Sequence, residues 1–138
     1  MRTALIAAAL LALATPALAA DPVEGDWTPP DGGSKIKISP CPGDAAQVCG
    51  KIAWLPAATA KNLDTNNPKK ELKGRPVLGL QTFWGFKQAG PGKWTGGKLY
   101  DPSSGKTYSG KLTANANGTL KVEGCVLGIC QAQTWKRA

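Results

Sequence analysis

The chain has no histidine among its 138 residues, which excludes triads with an imidazole base and metal sites built on imidazole ligands. It contains no internal repeat, no low-complexity tract and no long linker at which a second domain could begin. Large aliphatic residues are almost missing from one long stretch, Trp94 to Leu112, WTGGKLYDPSSGKTYSGKL. It reads as two strands about a turn, with Asp101-Pro102-Ser103-Ser104-Gly105 supplying the turn chemistry. Trp94, Gly96, Lys98 and Tyr100 share one parity, and Tyr108, Gly110 and Leu112 share a parity on the return. Aromatic rings are therefore expected beside glycines on one face.

The N-terminal MRTALIAAALLALATPALAA carries one Arg, an apolar run from Ala4 to Ala14, Pro16, and Ala17-Leu18-Ala19 as a small-x-small cleavage site. Residues 1–19 are expected to be a secretory signal peptide, because the run is shorter than the roughly 20 residues that span a bilayer. Residues 20–138 should then form a single domain, periplasmic or secreted, not membrane-spanning and monomeric. Neither Ala20 nor Asp21 offers a thiol for a lipid anchor.

With residues 1–19 removed, sixteen Lys and Arg stand against nine Asp and Glu, a charge of +7. The basic residues are mostly Lys and are scattered, whereas nucleic-acid recognition favours clustered Arg in a stripe, so no nucleic-acid partner is expected. An anionic envelope surface is the partner that such a charge could attract.

Cys41, Cys49, Cys125 and Cys130 are an even set in an exported chain, which implies disulfides. Cys41–Cys49 with Cys125–Cys130 is favoured, each pair flanking a short turn-rich segment. Bridges joining the two groups are the alternative. A zinc site would need all four thiolates reduced, which an oxidising compartment opposes, so no metal is expected.

Short alternating segments punctuated by Gly and Pro give an all-β reading with about eight strands, typical of a small closed or nearly closed antiparallel barrel. The strands are expected at Trp27, Lys35–Ser39, Gly50–Leu55, Pro76–Phe86, Lys93–Tyr100, Thr107–Thr113, Leu120–Val126 and Gln131–Arg137. Ile52 and Trp54 are expected on one side. One short helix is expected after Asn67, with Asn67 as N-cap, Pro68 at the first position, Glu71 in the first turns and Gly74 at the end.

Catalytic chemistry is thinly supported, and no enzyme is expected. Asp64 and Asp101 could pair as carboxylates, but both stand in turn contexts where capping local backbone is the ordinary role. Asp64, Asn66 and Asn67 could offer oxygens to calcium, with only one carboxylate among them. The aromatic set can fill a barrel or line a partly open cavity. Inward glycines at Gly96, Gly110 and Gly124 favour space, and Trp54, Trp84, Trp94, Tyr100 and Tyr108 are the candidate lining for a small apolar or amphipathic ligand. No cofactor is implied.

Gly25-Asp26-Trp27 resembles the Gly-x-Trp signature of lipocalin and calycin barrels, in which the Trp packs across the closed end against an Arg of the final strand. Trp135-Lys136-Arg137 supplies that Arg as Arg137. A more specific resemblance covers nearly the whole chain after the leader. CGKIAWL (Cys49 to Leu55), LDTNNP (Leu63 to Pro68), GRPVLGL (Gly74 to Leu80), KWTGGKLYDPSSGKTY (Lys93 to Tyr108) and LKVEGCVLGICQAQTWKR (Leu120 to Arg137) are similar to the uncharacterised bacterial family of domain of unknown function 2147. The resemblance implies a small exported protein with a lipocalin-like barrel, and it carries no catalytic residues. The function expected is small-molecule binding; the alternative is an envelope interaction module for an anionic surface or a protein partner.

Overall fold

The computed structural model describes residues 20–138, and the expected signal peptide, residues 1–19, lies outside the described residues. Eight antiparallel strands follow in chain order: β1 (Gly25–Thr28), β2 (Lys35–Cys41), β3 (Asp44–Trp54), β4 (Gln81–Gly90), β5 (Lys93–Asp101), β6 (Lys106–Ala114), β7 (Leu120–Val126) and β8 (Ile129–Arg137). Each pairs with the next, and β8 returns to β1 through Trp27↔Arg137 and Thr28↔Lys136, so the sheet is a closed barrel with no free edge.

Alternation along an up-and-down barrel sends the connections β1–β2, β3–β4, β5–β6 and β7–β8 to one end and the remainder, with both termini of the barrel, to the other. The second end is sealed. Val23, Trp27, Ile38, Val48, Phe86, Trp94, Leu112 and Leu120 are all buried in its half. Segment 21–24 covers that end and is tied on polar contacts: the Trp94 indole N–H donates to Asp21 Oδ1 (3.0 Å), and the Trp27 indole N–H to the Val23 carbonyl (2.8 Å).

Two strand starts differ most from those expected of the sequence. β3 begins at Asp44, because the Cys41–Cys49 bridge lies inside the β2–β3 hairpin and not at a strand start. The apolar Pro76–Leu80 segment is connection rather than strand: Val77 is buried, but its N–H goes to the Asn62 carbonyl, while Leu63 bridges Pro76. Residues 55–80 therefore form one long folded connection. Its helical content is a single 3₁₀ turn, Lys70–Leu72, and Asn67 Oδ1 accepts the Lys69 N–H just ahead of it. The disulfides are Cys41–Cys49 and Cys125–Cys130.

A cup at the open end and a buried carboxylate beside it

The inward glycines near the middle of the barrel do not leave space. A Cβ at Gly97 would overlap the Phe86 ring, and one at Gly110 would come within 2.8 Å of Phe86 and Leu99. These two positions lack side chains because the Phe86 ring occupies their volume. Phe86 thereby fills the middle of the barrel, and the open half holds a cavity of about 770 Å³. Ile36, Ile52, Phe83, Leu99, Val122 and Trp135 give it an apolar wall. Polar points come from Tyr108, Gln131 and Gln133, the last held by the Trp135 indole N–H donating to its Oε1 at 3.0 Å. Thr82 also borders the cavity, and its hydroxyl is the one buried side-chain polar atom without a partner among the described residues.

Of the five candidate lining residues, Tyr108 faces this cavity, Tyr100 touches its edge but turns its hydroxyl to the outside, and Trp54, Trp84 and Trp94 do not border it. The cause in β5 is a bulge. Trp94 pairs with Leu112 but Gly97 pairs with Gly110, so an extra residue is accommodated at Gly96, whose φ of 71° suits glycine. A one-residue slip exchanges the faces of a strand. Trp94 therefore points into the sealed half, whereas Lys98 and Tyr100 leave the barrel on the outside, and Gly97 replaces Gly96 as the inward glycine. Trp54 is turned out by a second irregularity: Ile36 pairs with Ile52 but Lys35 with Trp54, placing the indole 4.7 Å from the Lys35 ammonium. Trp84 pairs with Lys98 on the outer face. Gly124 does face the cup, where the nearest atoms to a Cβ would be those of Tyr108, at 3.5 Å.

Outside the wall, Tyr100 meets the long connection. The carboxylate of Asp64 is fully buried and accepts hydrogen bonds from the Tyr100 hydroxyl, from Asn67 Nδ2 (2.9 Å) and from Arg75 Nε (2.8 Å). Burial alone would raise its pKa. The three donors, with the charge of Arg75, instead hold it below the ordinary 3.8. For Tyr100, burial, then the hydrogen bond to Asp64 and its charge, push the hydroxyl from 10.0 to about 12. The pair stays as carboxylate and phenol across the physiological range. Next to it runs an outer groove of about 560 Å³ bordered by Asn67, Lys69, Arg75, Trp84 and Tyr100.

Asp64 is thus a tertiary anchor rather than the turn cap that its context suggested. Asp101 does cap its turn, accepting from the N–H and hydroxyl of Ser103 and the hydroxyl of Ser104. With its oxygens engaged by three side chains, Asp64 offers no vacant carboxylate for calcium or for acid–base work with Asp101. Among the described residues no group of three or more Asp, Glu, Cys or His could hold a metal ion. Asn66 ties the loops together, its Nδ2 donating to the carbonyls of Pro102 and Ser103, both at 3.1 Å.

Sequence reasoning passed over Arg75 as the partner of Asp64 and over the two glutamines. The glutamines had a signal: Gln131, Gln133 and Trp135 alternate, so an inward Trp135 places both amides in the barrel.

A closed eight-stranded barrel, sealed at one end and open to a cup at the other, is a lipocalin-like fold. A solved structure described as "Protein HP1028 from the human pathogen Helicobacter pylori belongs to the lipocalin family" superposes with a TM-score of 0.73 at 21% identity, covering 83% of this chain and 82% of that one. The family model described as "Uncharacterized protein conserved in bacteria (DUF2147)" matches residues 25–137, and the chain belongs to that family. No curated protein matches it.

Proposed function

We propose that the protein is an exported, monomeric carrier or receptor that holds one small apolar or amphipathic molecule in the cup. The observation that carries this reading is the cavity of about 770 Å³, which sets an apolar wall against polar groups, Tyr108, Gln131 and Gln133 within and Asp31 and Asp101 toward the mouth. Small-molecule sites have this size and this mixture, an apolar wall that supplies affinity and a few polar groups that fix orientation. The ligand's apolar body lies against Phe83, Leu99 and Trp135, and a hydrogen-bonding group meets the amides. The two disulfides are compatible with an oxidising compartment. Among the described residues no helix is long and apolar enough to cross a membrane.

The test is native mass spectrometry of the chain expressed with residues 1–19 intact and purified without denaturant. A bound molecule that is displaced by filling the cup at Gly124 supports the reading. A wild-type protein that carries nothing and takes up no member of an apolar small-molecule panel contradicts it.

A further inference from the structure

The β7–β8 hairpin ends in Val126-Leu127-Gly128-Ile129, and its three large side chains are exposed by 49%, 98% and 74% respectively. Leu127 adopts φ 50°, a left-handed conformation that such tight hairpins normally give to Asn or Gly. A bare leucine therefore stands where neither burial nor backbone preference calls for one. The Cys125–Cys130 bridge closes the base of the tip and holds it in one shape. The tip also adjoins the mouth, since Gly124 and Gln131, just inside the bridge, line the cup.

The same end gathers the other exposed large hydrophobic side chains of the described residues. Trp54 ends β3, Leu63 and Leu78 lie in the 55–80 connection, and Trp84 is near the start of β4. That connection carries Lys61, Lys69, Lys70, Lys73 and Arg75 against Asp64 and Glu71, and Asp64 is already bound by Arg75. At that end the β1–β2 loop and the last residue of β5 add Asp31 and Asp101, which line the mouth of the cup, so the basic excess belongs to the 55–80 connection. Apolar projections and an excess of lysine at one end are the pattern of a protein that rests on an anionic lipid surface. A protein partner is a poorer fit to the tip. Stable protein interfaces bury about 800 Å² per side with shaped, polar-patterned contacts, whereas three aliphatic side chains on a turn offer neither area nor pattern.

We propose that the open end docks on an anionic bilayer, with Val126, Leu127 and Ile129 entering the acyl region and the 55–80 lysines meeting headgroups. This surface is independent of whether the cup holds a ligand. Its test is co-flotation of the chain, purified with its disulfides intact, with vesicles of phosphatidylglycerol and phosphatidylethanolamine, and separately with phosphatidylcholine alone. The wild type should float with the anionic vesicles and less so in high salt. Leu127→Asn with Ile129→Thr should lower partitioning about tenfold or more, with an unchanged circular dichroism spectrum because both positions are exposed. Undiminished flotation of this variant, no flotation of the wild type, or equal flotation on phosphatidylcholine would overturn the proposal. Tip substitutions that change only self-association would overturn it too, and would give the tip to a second copy of the chain.

Discussion

The Arg137 guanidinium carbon lies 4.0 Å from the centroid of the Trp27 indole, across the seam where the last strand meets the first. Its two terminal nitrogens donate to the carbonyls of Glu24 (2.6 Å) and Pro22 (2.7 Å). One side chain thus stacks on the buried tryptophan and pins the segment that seals the barrel. Gly25 makes this possible, since a Cβ there would collide with the guanidinium, and its φ of 122° also favours glycine.

Arg137→Ala should lower stability by about 1 to 2 kcal/mol, the loss of a cation–π contact and two charge-assisted hydrogen bonds at a partly hydrated site. Lys136→Ala should change it little. Gly25→Ala should displace Arg137, so the double variant with Arg137→Ala should fall short of the sum of the singles in urea titrations. Strict additivity would mean that Gly25 acts through its backbone alone.

Phe86 and the two glycines facing it form a second coupled unit. Gly97→Ala overpacks the barrel interior against Phe86 and should cost about 1 to 3 kcal/mol. In a Phe86→Leu background the same change should cost clearly less, because the smaller side chain vacates the volume. Thermal denaturation of the four proteins in this cycle measures the coupling.

The Asp64–Tyr100 pair predicts a loss of stability at both pH extremes. The folded-state pKa of Asp64 is depressed, so its contribution is present above about 3.8 and is lost as pH falls through the lower folded value. Tyr100 is raised, so its contribution is present below 10.0 and is lost as pH rises toward about 12. The alkaline loss should be on the order of 2 kcal/mol. Tyr100→Phe should remove that part of the alkaline decline while costing about 1 to 2 kcal/mol at neutral pH. Denaturant midpoints for both proteins across the two pH ranges give the comparison, and superimposable alkaline limbs would contradict the assignment.

Both disulfides are local, eight and five residues apart in sequence. In the chain-entropy account such loops contribute about 2 to 2.5 kcal/mol each. Reduction should lower the melting temperature and leave the β content at room temperature intact, because the β1–β8 seam is held by pairing and by Arg137. Loss of the β spectrum on reduction would show that the hairpin ends support the whole sheet.

Strand number, closure and the Trp27–Arg137 pairing were legible because they rest on period-two alternation, turn residues and a short signature. The lining was not, for reasons that lie in single residues. Counting parity through Gly96 assigned Tyr100 and Lys98 to the same face as Trp94, and one bulge reversed them. An irregularity between Lys35 and Ile36 did the same for Trp54. Bulges leave little trace in a sequence beyond a glycine, and this chain has 17 glycines to choose from. Asp64 had a turn context that was true of its neighbours; only the fold brings Tyr100 and Arg75 to it. Gly96 and Gly110 looked like room inside the barrel, but Gly96 is the bulge, and the room at Gly110 and at Gly97 belongs to Phe86.

Titration with an uncharged apolar fluorophore, N-phenylnaphthylamine, against the wild type and Gly124→Leu tests the central claim most directly. Gly124 faces the cup, and the nearest atoms to a Cβ there are those of Tyr108 at ordinary contact distance, 3.5 Å, so a side chain begun at this position extends toward the cup. The account predicts saturable one-site binding by the wild type and a loss of about tenfold or more in the variant, a change of roughly 1.4 kcal/mol or greater. Absence of saturable binding, or equal binding by both proteins, would contradict a ligand-holding cup.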